Sequence, residues 1–434
     1  MTAGAKPAVL LAPGALYLFW SAGVFYVFEL VDDYDVILLV GEEYRHSEAF
    51  ARLLEQHPDI RVYYVPAVRP VRRLHRYYAT EVRRIVEEFR PRFILSTDIW
   101  GMEMLYLFHF ARALRSQGHP CGRIAIQASN WLKDGDKDLD EGRKHHATYY
   151  VRKYAMPRVM ASWLVTGLMH TFRLLNTFLY PAFYTGSPLR PWSLMLGPIT
   201  SQRDSVGKFD AFLWYHDGEG RTIRPLFDES CRVERVVHPL RSREAAARRL
   251  LQAGAEEQAI IVLPSYASVL MLQGDLGLTE AAATAFLSDR WIEVITRLRG
   301  RFPSYAVRWK IHPQLVNDPH WMAVTGRICA AVPELEVLDP SVSAEKLILE
   351  HRVIAGDIST ALMWAANLSS KIVISFDVFG KKYGELAGRD NIWYVDDLAD
   401  FDRASFETSL PAKTDPAATG GEAPTVREYL AQLP

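Results

Sequence analysis

Twice along this chain, short apolar runs alternate with stretches of helical periodicity, and between the two series the alternation breaks down. Strand–helix alternation of this kind places helices on both faces of a parallel sheet, so the chain reads as α/β. The first series runs AVLLA (8–12), DVILLVG (35–41), IRVYYV (60–65), RFILSTD (92–98) and RIAIQ (123–127), with helices expected near 47–56, 71–89 and 101–116. It returns at FDAFLWYHDG (209–218). The second series runs AIIVLPSY (259–266), YAVRWKI (305–311), LEVLD (335–339), HRVIAGD (351–357), KIVISFD (371–377) and NIWYV (391–395), with helices near 280–300, 315–331 and from Ser359. Residues 8–28 carry no charge, but Ala12-Pro13-Gly14 breaks the run. It therefore reads as strand, turn and a buried helix over about 16–31, not as a leader or a membrane span.

A chain of 434 residues exceeds one core, and the second series supplies a second domain. The expected division is 1–240, 241–410 and a loose tail over 411–434, the last from its Pro, Ala, Thr and Gly content. Net charge is −1, which leaves no global field to draw nucleic acid. Cys121, Cys231 and Cys329 are far apart and form no CxxC pattern, as expected of reduced thiols in a cytosolic protein.

In an open parallel sheet the ligand crevice lies at the strand C-terminal ends. In the first domain that points to Pro13-Gly14, Thr97-Asp98 and Gln127, and three short pieces elsewhere end strand-like runs in the same way. RWKIHPQ (308–314) places His312 and Pro313 just after the cations Arg308 and Lys310. The dipeptide His-Pro also begins at His57, His119 and His238, so only this context singles out His312. An imidazole there can donate to a phosphate oxygen as charge develops on a leaving group. GDISTAL (356–362) reads as strand, turn and helix start, with Ser359 or Asp357 as N-cap and Thr360 following. Backbone N–H groups and hydroxyls at such a start suit a phosphate, although an ordinary capped helix looks the same. The 47 residues from His312 to Ser359 fit an intervening α/β unit, which would make the two loops neighbours on one sheet edge. WYHDGEG (214–220) offers Asp217 as an acceptor for an attacking hydroxyl's proton, with Glu219 in reserve, or an ordinary Asp-Gly turn. Glu345 begins an expected helix; it either takes ribose or base hydroxyls or is a first-turn acid. The DxD-like pairs of 134–140 have no strand ahead of them and read as a solvated loop, so no metal site is expected.

The segment at about 133–205 interrupts the alternation with an apolar helical insertion. Within 143–184, Trp163 and Phe172 stand in a helix interrupted by Arg158 and Arg173. This is either a domain-packing helix pair or an amphipathic element contacting an anionic membrane. The arginines of 69–92 read as the solvated face of a helix paired with Glu87 and Glu88, or else as a second anionic-lipid patch.

Two Rossmann-like parallel-sheet domains facing a cleft, with that insertion, make the GT-B arrangement. Within it, His216-Asp217-Gly218, His312-Pro313 and Ser359-Thr360 fall in the order of three motifs of the bacterial sialyltransferases and polysialyltransferases, D/E-D/E-G, HP and Ser-Ser/Thr. The chain resembles that family across the second domain and, in the first, in outline, including APGALYL (12–18). It departs from the family at His216, where an acid is usual, and in the insertion; these departures bear on the donor sugar more than on the reaction class. The resemblance implies an inverting transferase using a CMP-activated sugar and no metal or other cofactor. Asp217 would be the general base, His312 would assist nucleotide departure, and Ser359 and Thr360 would hold the donor phosphate. Lys310, Pro313 and Glu345 complete the expected donor site. The acceptor would be a glycan or glycolipid in surface polysaccharide synthesis, with the protein cytoplasmic and peripheral on the inner face of the membrane.

Other readings compete. Kdo transferases and glycerophosphate polymerases also join His-Pro to a Ser-rich helix start. A sugar-nucleotide epimerase shares the two-domain architecture and needs no acceptor. A degenerate membrane-associated scaffold would bind no nucleotide.

Overall fold

The computed structural model describes residues 6–13, 24–66, 71–97, 102–126, 156–186, 209–215, 229–238, 240–264, 278–312, 315–357, 360–368, 370–378, 392–403 and 423–433. The chain divides into two units, Met1–Pro239 with Ala423–Pro434, and Leu240–Glu422.

In the first unit the elements follow as β1 (Ala8–Ala12), α1 (Val24–Leu30), β2 (Asp35–Gly41), α2 (Glu48–Gln56), β3 (Arg61–Val65), α3 (Val71–Tyr77), a π turn (Tyr78–Val82) and α4 (Arg83–Phe89). They continue through β4 (Phe93–Ser96), α5 (Met102–Ser116), β5 (Gly122–Ile126), α6 (Arg158–Arg173), a π segment (Leu174–Leu179), α7 (Tyr180–Thr185), β6 (Ala211–Trp214) and β7 (Arg232–Arg235). The sheet order is β3-β2-β1-β4-β5-β6-β7, all parallel. The chain thus starts in the middle, builds outward to β3, then returns to the other side of β1, the doubly wound order of a Rossmann-like sheet. Its switch point lies between β1 and β4, where the Thr97 hydroxyl donates to the Pro13 carbonyl at 2.6 Å. Strands β1, β2 and β4 bury almost every side chain, as a sheet covered on both faces requires.

The edge strand β7 was not anticipated. Its sequence RVER alternates exposed and half-buried positions, and its charges mask a strand from a search for apolar runs. The arginines of α4 behave as expected: Arg83 pairs with Glu87 and Arg84 with Glu88, each at 2.7 Å.

The second unit comprises α8 (Leu240–Leu251), β8 (Glu257–Leu263), α9 (Glu280–Arg301), β9 (Ala306–Trp309), α10 (Pro319–Ala331), β10 (Glu336–Val337), α11 (Ala344–Glu350), β11 (His351–Gly356), α12 (Thr360–Ala366), β12 (Ile372–Phe376), β13 (Trp393–Val395) and α13 (Leu398–Arg403). Its sheet, β10-β9-β8-β11-β12-β13, is again parallel throughout and repeats the same winding. The long helix α9 starts at Thr279, whose hydroxyl accepts from Ala282 N. It buries Leu287, Trp291, Val294, Ile295 and Leu298 at helical spacing. Trp291 meets Trp309 of β9 edge-on, ring centroids 5.2 Å apart. Two Rossmann-like units in one chain are the GT-B composition.

The end of the chain differs from expectation. Within the tail expected to be loose over 411–434, residues Val426–Ala431 form α14, closed by a capping box between Thr425 and Glu428. Val426, Tyr429 and Leu430 are buried, α14 packs on α1, and Arg427 pairs with Asp33. Arg92 donates to the Leu433 carbonyl at 2.7 Å. Apolar residues at helical spacing behind a capping box outweigh the loose composition upstream of them.

Candidate functional site

The C-terminal end of β9 concentrates the chemistry of the second unit. Strand alternation sends Val307, Trp309 and Ile311 into the core beneath α9 and α10. Arg308, Lys310 and His312 therefore occupy the alternate positions. The three have different fates. Arg308 is committed to structure, pairing with Glu257 at 2.7 Å and Glu336 at 2.8 Å and meeting His351 Nε2 at 3.1 Å. It is not one of the cations attending His312, as its place in the sequence suggested.

Lys310 stands one residue beyond the strand, its N–H donating to the Val262 carbonyl of β8. It is 3% exposed, and among the described residues Nζ donates to the carbonyls of Pro340 at 3.2 Å and Ile311 at 3.4 Å. Among the described residues no carboxylate forms an ion pair with it; Glu345 and Asp339 act on it through charge alone. Burial pushes the ammonium below the usual lysine range, and those two carboxylates pull it partly back. The same sheet provides a contrast in Lys371, at the N-terminal end of β12 and 1% exposed. Its Nζ lies 2.5 Å from Glu256 and donates to the Leu349 and His351 carbonyls at 2.8 and 2.9 Å. Among the described residues one buried lysine has a carboxylate and two carbonyls as partners, while the other, at the end of the sheet where ligands bind, has two carbonyls at longer distances.

His312 is half-buried. Burial first, and the Lys310 charge second, hold its imidazole below the ordinary histidine value. The shift favours the neutral ring at pH 7. Glu345 sits in the first turn of α11 behind the N-cap Ser343, whose hydroxyl accepts from Lys346 N at 3.1 Å. Burial raises its carboxyl; its own backbone N–H and Lys310 offset part of that rise. The group comprises a buried cation, a neutral imidazole and a carboxyl of raised pKa, which together suit a phosphate diester and a neighbouring hydroxyl.

The sequence places the His312 and Ser359 loops side by side, but the strands that lead to them are not adjacent. Strand β8 lies between β9 and β11, which puts these two strands about 10 Å apart, twice the interstrand spacing. The cause is the winding: after β10 the chain crosses to the other side of β8, and the β8/β11 boundary becomes the switch point. Sequence reading also passed over Gly356. A Cβ there would lie 2.5 Å from the Leu263 carbonyl oxygen, so only glycine permits β11 to end this close to β8. A glycine closing a strand just before a helix start is the signal that marks it. Asp357 follows, 2% exposed, its carbonyl accepting from Ser375 Oγ at 3.4 Å.

Thr360 opens α12, a helix of only seven residues. Ser359, Pro313, Asp217, Glu219 and the acidic stretch 134–140 lie outside the described residues. In the insertion, Trp163 is 78% exposed, while the side chains of Arg158, Phe172 and Arg173 fall outside what is described.

No family model matches the sequence, and no curated protein matches it. Solved structures similar to this one include the UDP-GlcNAc 2-epimerase of Neisseria meningitidis bound to UDP-GlcNAc, with 10% identity, 92% of this chain and 89% of that chain covered, and a TM-score of 0.47. The UDP-GlcNAc 2-epimerase of Methanocaldococcus jannaschii gives 9%, 92%, 91% and 0.49 in the same order. HepE of Anabaena, in complex with UDP and glucose, gives 10%, 99%, 100% and 0.48. Likenesses of this size assign no activity; the strand orders of the two sheets define the fold.

Proposed function

We propose that this chain is an inverting glycosyltransferase that moves an acidic sugar of the sialic acid kind from a CMP-activated donor to a glycan or glycolipid acceptor. The observation that carries this reading is Lys310: a buried ammonium, bonded among the described residues to carbonyls, at the ligand-binding end of a Rossmann-like sheet and beside His312, whose pKa is lowered. A CMP-sugar has a single bridging phosphate. A lysine, an imidazole N–H and the hydroxyls of Ser359 and Thr360 suffice in number to balance its charge without a divalent ion. In the reaction the acceptor hydroxyl oxygen bonds to the anomeric carbon as the bond from that carbon to the phosphate oxygen breaks. The electron pair departs with CMP, and the hydroxyl proton passes to Asp217. Assignment of the base, and of sialic acid as the sugar, follows the resemblance of the motifs to the bacterial sialyltransferases.

The test is incubation with CMP-, CDP-, UDP- and GDP-activated compounds, with and without oligosaccharide acceptors, while free nucleotide is measured. Acceptor-dependent release of CMP from CMP-sialic acid supports the proposal. Release from CMP-Kdo or CDP-glycerol alone reassigns it within cytidine-dependent transferases, and conversion of a UDP-sugar without acceptor makes it an epimerase. Absence of any nucleotide-induced thermal shift would leave the scaffold reading.

A further inference from the structure

The helical stretch between β5 and β6 turns apolar side chains toward solvent. On α6, Val159, Met160, Trp163 and Leu168 are 69, 59, 78 and 49% exposed, and on α7 Phe183 is 71% exposed. Positions 160, 164 and 168, with 159 and 163 beside them, recur at helical spacing and make one stripe. This stripe is not the face by which the helix is seated. Ala161 and Val165, on another side of α6, are buried. Farther along, the Asn176 side-chain oxygen lies 3.1 Å from His75 Nε2, Phe178 is fully buried, and Arg72 donates to the Tyr184 hydroxyl at 3.2 Å. The π segment and α7, which continue α6, are tied to α3 by the Asn176 and Tyr184 contacts, and the apolar stripe of α6 is left exposed.

The stretch of sequence that contains this helix is basic. Residues 142–203 contain no Asp or Glu, although the whole chain has 51, and they carry Arg143, Lys144, Arg152, Lys153, Arg158 and Arg173 among their cations. On α3, Arg72, Arg73 and Arg76 are exposed, and among the described residues none of them is paired with a carboxylate. No described helix is long and apolar enough to cross a membrane. An exposed apolar stripe in a basic stretch of sequence, on a helical segment joined to the exposed arginines of α3, instead matches an element lying in a bilayer interface.

We propose that the outward face of α6 docks this chain on an anionic lipid surface. Met160, Trp163 and Leu168 enter the boundary between headgroups and acyl chains, and the exposed arginines of α3 meet lipid phosphates. Charge selects this occupant over a second copy of the chain, since a symmetric pair through this face would bring two acid-free, basic segments together.

The full chain, without nucleotide, is sedimented with vesicles of phosphatidylcholine and with equimolar phosphatidylcholine and phosphatidylglycerol, at low and high salt. Independence from nucleotide separates this outcome from that of the donor assignment. Expected is co-sedimentation with the anionic vesicles at low salt and release at high salt. A Met160→Ser/Trp163→Ser double variant should bind at least about fivefold more weakly with unchanged thermal unfolding, and Trp163→Phe should retain binding. The proposal is overturned if the chain stays in the supernatant throughout, or if the double variant binds like the parent. It is equally overturned if the parent is a dimer by light scattering that the double variant dissociates, because a second copy then covers the face.

Discussion

The Lys310 ammonium donates to the Pro340 carbonyl across 3.2 Å, joining the end of β9 to the segment that leads into α11. A buried charge with no ion-pair partner among the described residues is poorly compensated, and its burial costs stability that an arriving anion returns as binding affinity.

Replacement of Lys310 by Met should therefore separate binding from stability. Affinity for a cytidine phosphodiester is expected to fall by about 10- to 100-fold, in keeping with loss of a charge-assisted hydrogen bond. The urea midpoint should hold or rise. Lys371→Met should do the reverse, losing about 2–4 kcal/mol because Glu256 and two carbonyls lose their donor, with affinity little changed. Calorimetric titration and urea unfolding of both variants check the pair.

Affinity for a phosphodiester should also depend on pH through His312. Its imidazole pKa is depressed in the free protein, and a bound phosphate favours the protonated ring, so binding takes up protons. The affinity should then rise as pH falls through the histidine range and level off below the depressed value. A phosphodiester has no titration of its own near neutrality, so the effect is assignable, and His312→Ala should flatten it. A profile flat in the parent protein would remove His312 from the phosphate.

Stability should fall as the solution is acidified from neutrality. Burial lowers the pKa of His75, His109, His312 and His351, so below about pH 6.5 the unfolded chain binds protons that the folded chain does not. This stability is present above the unfolded value and is lost as pH drops below it. The raised Glu345 carboxyl works in the opposite sense and offsets a part. The lowered carboxylates Asp210 and Glu256 give up their contribution only under more acidic conditions. Urea midpoints at a series of pH values between neutral and mildly acidic test the sign.

Gly356→Ala should unfold more readily by about 1–3 kcal/mol, since its new Cβ would meet backbone, the Leu263 carbonyl, and the strands must separate at the switch point. Nucleotide affinity should fall with it. A wild-type urea midpoint would show that β8 and β11 part there without cost.

Asp217→Asn should abolish transfer and leave donor affinity nearly unchanged, as loss of a base acting on the acceptor requires. Single-turnover assays beside equilibrium titration make the distinction, and retained turnover passes the role to Glu219.

The sequence by itself determined the repeated strand–helix alternation, and with it two parallel sheets, because burial on both faces demands continuous apolar runs such as ILLV in β2 and AIIVL in β8. It also pointed to Lys310 and His312, since a polar pair ending an apolar strand is conspicuous along one dimension. The edge strand β7 and the docked helix α14 were hidden, the first by charge and the second by the composition of the residues before it. Only the tertiary structure decided that Arg308 is consumed by Glu257 and Glu336 while Lys310, two residues on, is left with carbonyls. Both carry the same sign, Arg308 within β9 and Lys310 just past its end; what separates them is which neighbours the winding of the sheet brings to each. The same winding set β8 between the His312 and Thr360 loops and required glycine at position 356, relations between residues distant in sequence that local periodicity does not encode.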